Sequence, residues 1–177
     1  ARSSAGLVRT FQTPKVFGNL SVLENLMTGL YRHTRCGLLS DMWRSRHARN
    51  ELERMRVQAE LACEKFGLRE VRERLAGKVP AGMQRLIELA RAYVSQPRLL
   101  MLDEPSSGLN NAEIEQLRDA LLQLNQEGMS VLLVSHDMEL VGIAQLVHVL
   151  CFGSIIASGA MQEIKQDERV RQAYLGV

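Results

Sequence analysis

The run Leu99-Leu100-Met101-Leu102, followed at once by Asp103, Glu104 and Pro105, constrains the fold more than any other stretch of the chain. A short apolar run bounded by breakers reads as a buried strand. Fully burying each of these side chains is worth about 1.5–3 kcal/mol, which places the run in a core. An unpaired buried carboxylate would offset that gain. Asp103 and Glu104 are therefore expected where the strand emerges, beside a cation, a donor or water. In open α/β sheets that position is the crevice at the carboxyl ends of the strands, where ligands bind. Successive strand side chains point to opposite faces, so one acid can hold a metal while its neighbour faces a reacting water.

The rest of the chain alternates strand-like and helix-like segments. Residues 6–12 predict a short strand, broken by Thr13-Pro14. Ser21-Val22-Leu23-Glu24 has the form of a capping box, opening a helix to about Tyr31. Residues 46–66 are charged and free of Gly and Pro. Leu52, Met55, Ala59, Ala62, Cys63 and Phe66 fall there at helical spacing, with Gly67 as the stop. Pro80-Ala81-Gly82 starts a helix whose apolar face is Met83, Leu86, Ile87, Ala90 and Val94. Residues 111–126 predict a helix ended by Gly128, residues 131–134 a second buried strand, and residues from 137 to about 145 another helix. Residues 147–152 and 155–157 predict a hairpin around Gly153-Ser154, and two short helices close the chain. Such alternation argues for a parallel α/β sheet.

Length and charge narrow the functional classes. A chain of 177 residues has the length of one domain. A formal net charge of +2 is too small to argue for nucleic acid. Basic residues gather between Arg32 and Arg85 but are interleaved with acids and lack stacking aromatics, so they read as a solvated helical surface. Cys36, Cys63 and Cys151 are far apart with no C-x-x-C spacing, which fits structural thiols in a reducing compartment. No apolar run approaches the ~20 residues of a membrane span. No signal peptide is visible, and the chain opens in mid-pattern at Ala1-Arg2-Ser3-Ser4, which leads us to expect a missing N-terminal portion. His33, His47 and His148 lack ligand spacing. Met27, Met55, Met83 and Met101 read as packing residues.

Four side chains fall at successive strand ends: Gln12, Asp103, Glu104 and His136. An amide, two carboxylates and an imidazole suit a metal–phosphate site. Asp103 would hold Mg²⁺ directly or through water. Gln12 would offer a neutral oxygen to the metal or to the attacking water. Glu104 would accept a proton from that water or orient it, and His136 would donate to the terminal phosphate. Phosphoryl transfer requires positioning and charge stabilisation more than covalent chemistry. The helix start at Pro80-Ala81-Gly82 offers a second, backbone-based anion site, where Gly82 removes a side chain that would block a phosphate.

Taken together, these segments resemble the ATP-binding subunit of an ABC transporter over essentially the whole chain. Asp103-Glu104 is similar to the Walker B end with its catalytic glutamate, Gln12 to the Q-loop glutamine, and His136 to the switch histidine. Val79-Pro80-Ala81-Gly82-Met83-Gln84-Arg85 occupies the signature position, and Ser107-Gly108-Leu109-Asn110 that of the D-loop. The five segments occur in the family's order. Arg9-Thr10-Phe11-Gln12, the stretch from Phe17 to Asn25, the helical segment from Gly37 to Arg56, and the ending Ala173-Tyr174-Leu175-Gly176 resemble the branched-chain amino-acid importers. The competing resemblance is to the lipopolysaccharide-export ATPase, which is expected to have a shorter helical segment.

The resemblance implies a P-loop NTPase-type parallel sheet core with a helical subdomain, lacking its N-terminal part. The helical subdomain would span about 21–95, and the α/β core 1–20 and 96–177. It implies ATP and Mg²⁺ as ligands, with Gln12 and Asp103 toward the metal. Pro80, Ala81, Gly82, Met83, Gln84, Ser107 and Asn110 would contact nucleotide. The implied partners are a second ATPase subunit and transmembrane permease subunits docking near residues 16–30, with no nucleic acid. The implied location is peripheral, on the cytoplasmic face of the inner membrane.

The chain departs from the family pattern in several places. No G-x-x-x-x-G-K-[ST] loop is present, and Gly77-Lys78-Val79 is a decoy because Val79 has no hydroxyl. The family places the true loop upstream of Gln12, so we expect this chain to be a C-terminal part of a longer ATPase that binds ATP poorly alone. Another possibility is a subunit with no ATPase activity of its own. Pro80 replaces the usual signature serine, Met83 the usual glutamine, and Asn110 a common aspartate. Phosphate contact from the signature segment should then be mostly through backbone.

Overall fold

The computed structural model describes residues 6–10, 14–31 and 46–175. They form two compact units, 1–134 and 135–177.

In the first unit, a three-stranded parallel sheet runs in the order β1 (Leu7–Arg9), β2 (Leu99–Asp103), β3 (Ser130–Val134). The apolar run is β2, the central strand. Leu100 and Leu102 are fully buried, whereas Leu99 and Met101 on the other face are partly covered. The second apolar run was expected to be equally buried, and it is not. β3 pairs only with β2 among the described residues, and Leu132 and Val134 are each more than half exposed.

Three helices make a second layer: α1 (Val22–Leu30), α2 (Arg46–Lys65) and α3 (Ala81–Val94). Ser21 and Glu24 form the expected reciprocal cap, with Ser21 Oγ accepting from Glu24 N at 3.1 Å and Glu24 Oε2 accepting from Ser21 N at 2.7 Å. Val22, Leu26, Ala59, Cys63, Ile87 and Ala90 pack with almost no exposure. Leu52, expected on this apolar face, is exposed instead. Gly67 ends the α2 segment in the left-handed region (φ 67°), where the Leu68 N–H donates back to Cys63 C=O at 2.7 Å. Burial pushes the Cys63 thiol up to about 11, so this cysteine is an inert packing group. α1 and α3 approach so closely at Gly29 that a Cβ there would overlap the Arg91 carbonyl.

α3 also buries polar groups. Arg85 Nη1 donates to Glu88 Oε2 at 2.8 Å, one turn apart and both nearly inaccessible. The sequence reading missed this pair, although Arg85 and Glu88 lie among the core-facing residues of the helix. Asn25 is fully buried on α1 and clamps the segment before it. Its Oδ1 accepts from Phe17 N at 2.8 Å, and its Nδ2 donates to the carbonyls of Phe17 and Ser21 at 3.0 and 2.8 Å. α4 (Asn111–Gln126) completes the unit, with Leu117, Leu121 and Leu124 buried.

In the second unit, α5 (Met138–Val141) is a single turn capped by Asp137, not a helix reaching residue 145. Gly142 closes it, its N–H bonding back to the Met138 carbonyl. β4 (Val147–Cys151) and β5 (Ser154–Gly159) form the predicted hairpin. Its two turn residues are Phe152 and Gly153, both at positive φ (46° and 81°), with Ser154 already in the strand. α6 (Met161–Gln166) and α7 (Glu168–Leu175) follow. Val147, Val149, Ala157, Met161, Ile164 and Val170 make a separate small core.

Candidate functional site

Asp103 is the last residue of β2, and Arg9 the last of β1. The parallel pairing of the two strands brings these ends together, and Arg9 Nη2 lies 2.8 Å from Asp103 Oδ2. Both side chains are part-exposed. The acid thus meets a cation at the strand tip, as the burial argument requires. Arg9 itself gave no signal in the sequence beyond its place at a predicted strand.

Glu104 is not a further strand residue. Its φ of 47° places it in the left-handed region, so its direction is set by this kink and not by strand alternation, as the sequence argument had assumed. Glu104 N donates to Val134 C=O at 2.8 Å, tying the kink to the end of β3. The turn continues with Ser107 N to Glu104 C=O at 3.2 Å and Leu109 N to Ser106 C=O at 3.1 Å. A non-glycine residue in this conformation costs about 1–3 kcal/mol, and such strain concentrates at functional positions.

Ser107 is exposed on this loop. Asn110 caps α4: its Oδ1 accepts from Glu113 N, and its own N–H donates to Glu113 Oε2, both at 3.0 Å. Its side-chain oxygen is therefore already engaged.

Pro80, exposed, stands at the N-cap of α3 and offers no side-chain acceptor. Ala81 is exposed, Gly82 is buried, and Met83 and Gln84 are partly covered. Gln84 Nε2 donates to the Val79 carbonyl at 2.9 Å. Gly82 was expected to leave room for a phosphate. In the structure, the Glu113 carboxylate approaches there, with Gly82 N to Glu113 Oε1 at 3.2 Å. Lys78 is exposed in a 3₁₀ turn, in keeping with its reading as a decoy.

His136 is exposed in the loop of the second unit that leads into α5. Gln12 lies outside the described residues. The structure thus brings Asp103, Glu104 and Ser107 onto one loop at the tip of β2, and ties Asn110 to the start of α3 through Glu113.

A third feature joins α3 to the segment after residue 13. Glu88 Oε1 accepts from Lys15 N at 3.4 Å, and Arg91 donates to the Lys15 carbonyl, so one helix face holds both ends of a backbone unit. Burial pulls the Arg91 guanidinium below its ordinary value, with Glu88 opposing. Arg91 also lies over the exposed Phe17 ring, 5.2 Å from its centroid. A cavity of about 570 Å³ opens here, lined in part by Arg9, Val16, Phe17, Thr28 and Arg91.

A parallel sheet with paired acids at the tip of its central strand fits an ATP-binding cassette, and the comparisons with known proteins show that family. The model of the ABC transporter family matches residues 1–107, and that of the branched-chain amino acid ATP-binding cassette transporter matches residues 154–177. The chain is 37% identical over 173 residues to the high-affinity branched-chain amino acid transport ATP-binding protein LivG of Salmonella typhimurium, covering 97% of this chain and 68% of the relative. It is 37% identical over 174 residues to BraF of Pseudomonas aeruginosa, with the same coverage. The lipopolysaccharide export protein LptB of Escherichia coli K12 is 29% identical over 179 residues, covering 99% of this chain and 68% of its own length. Among solved structures, the ADP conformation of MJ1267, an ATP-binding cassette of an ABC transporter, superposes with a TM-score of 0.77 at 26% identity, covering 99% of this chain and 70% of that one. The chain belongs to the ABC transporter family, as an ATPase of the P-loop NTPase-type α/β fold whose hydrolysis of ATP is coupled to transport.

Proposed function

We propose that this chain is part of the ATP-binding subunit that drives a branched-chain amino acid importer. The observation that carries the proposal is its 37% identity to LivG, joined by the branched-chain match over its last residues.

In this reading, Asp103 holds Mg²⁺. Among the described residues no group of three or more His, Cys, Asp or Glu side chains could hold a metal ion. A single hard carboxylate at a strand tip nevertheless fits magnesium, which takes one or two carboxylates together with phosphate oxygens and water. Arg9, 2.8 Å from Asp103, would have to give up that carboxylate to the metal. When bound, magnesium supplies positive charge to the phosphate oxygens. Gln12 offers its amide oxygen to that metal or to the attacking water. Glu104 accepts a proton from that water or orients it. His136 donates to the terminal phosphate, and Ser107 and Asn110 contact nucleotide from the loop.

Pro80, Ala81, Gly82, Met83 and Gln84 face the nucleotide of a second ATPase subunit, chiefly through backbone amides. ATP then holds the two subunits together, and hydrolysis releases them. The segment 16–30, with Phe17 and the cavity beside Arg91, receives a cytoplasmic segment of the transmembrane permease. No helix among the described residues is long and apolar enough to cross a membrane, which suits a peripheral subunit on the cytoplasmic face of the inner membrane.

The test uses the full-length polypeptide assembled with its permease in liposomes. Glu104→Gln should retain ATP binding while ATP hydrolysis and uptake of leucine, isoleucine or valine fall by about 10²–10⁴-fold, the range for removing a general base. Unchanged hydrolysis would refute the role given to Glu104. Hydrolysis that no branched-chain amino acid stimulates would refute the importer.

A further inference from the structure

The start of α3 is not an open anion site. Ala81, Gly82 and Met83 are first-turn residues whose N–H groups have no intrahelical acceptor, because the first bond of the helix runs from Gln84 N to Pro80 C=O. Pro80 cannot cap them. Glu113, from the first turn of α4, supplies the missing acceptor. Its Oε1 takes the Gly82 N–H at 3.2 Å, and its Oε2 takes the Asn110 N–H at 3.0 Å. One carboxylate therefore bridges two helix starts, each of which favours negative charge. The approach is close enough that a Cβ on Gly82 would overlap the Glu113 carboxylate. Gly82 is thus a glycine for Glu113 as much as for any ligand.

We propose that Glu113 is a positioning residue of the nucleotide site. Its carboxylate holds the Gly82 amide before nucleotide engages, and it is displaced when a phosphate docks at the start of α3. Displacement removes its bond to Gly82 while its bond to Asn110 remains, so engagement at α3 is felt by the loop that carries Glu104 and Ser107. This rests on the reading that α3 faces a nucleotide.

Two variants separate charge from reach. Glu113→Gln keeps the length and removes the charge. Glu113→Asp keeps the charge at the start of α4 but withdraws it from Gly82 by one methylene. In the full-length polypeptide assembled with its permease, both should lower the KM for ATP by roughly two- to fivefold, the scale of one charge at a helix terminus, with kcat changed less than that. Amide hydrogen exchange at Gly82 without nucleotide should quicken in Glu113→Asp, which no longer reaches it, and less in Glu113→Gln, whose amide oxygen still accepts. A lower melting temperature with an unchanged or raised KM would mean that Glu113 is only a helix cap, and would overturn the proposal. Unchanged exchange at Gly82 would overturn the contact itself. Ala81→Pro, which removes one first-turn amide without breaking a helix bond, distinguishes these from failure of the underlying reading: a raised KM keeps α3 at the nucleotide and assigns any failure to Glu113, whereas an unchanged KM removes both.

Discussion

The helical layer and the strand tips treat polar groups in opposite ways. In the helical layer, Asn25, Arg85 and Glu88 are buried and paired within the protein, although Arg85 Nε makes no hydrogen bond. At the strand tips, Asp103 and Glu104 remain part-exposed, and Glu104 sits in a strained backbone conformation. Desolvation explains the contrast. A buried charge must be paired where it stands, so it is committed to the fold. At the strand tip the pairing is solvent-exposed: Arg9 meets Asp103 with both side chains part-exposed.

Substitutions can break that contrast. The largest effect on stability is expected at Arg85→Ala, which leaves Glu88 buried without its guanidinium and should cost about 3–5 kcal/mol in denaturant unfolding. Asn25→Ala should cost about 1–3 kcal/mol by leaving the Phe17 amide and carbonyl without their buried partner. Limited proteolysis should then cut near Phe17 first. A loss as small as that of a surface residue would mean that the segment 14–20 is held by its other contacts, those of Lys15 with α3 and those of Gly18 and Leu20 with Gly77 and Ala76. The smallest effect has the opposite sign. Glu104→Gly should stabilise the fold by about 0.4–1 kcal/mol, because glycine accepts positive φ without strain, while abolishing turnover. Destabilisation by this change would show that the strain at Glu104 is smaller than the entropic cost of a glycine, and the two regions would then differ less than they do here.

Much of this was legible along the chain. The Ser21–Glu24 cap, the stop at Gly67 and the hairpin are local, fixed by residues within a few positions of one another. The acids at the end of β2 follow from the cost of burying them. The short α5 was missed because the pattern after Asp137 extends past Gly142, where the helix closes. Arg85 and Glu88 resemble an ordinary surface pair one turn apart, and only packing on both sides makes them core.

By itself, the sequence determined the alternation of strand and helix and the acid pair at a strand end, since residue type and short spacing suffice for these, while its ordered motifs carried the resemblance to the family. Only the tertiary structure decided that Arg9 meets Asp103 and that Glu113 meets Gly82, across separations of 94 and 31 positions. Such contacts depend on how the sheet registers and how helices stack, and a carboxylate's partner is whichever donor that packing brings within about 3 Å.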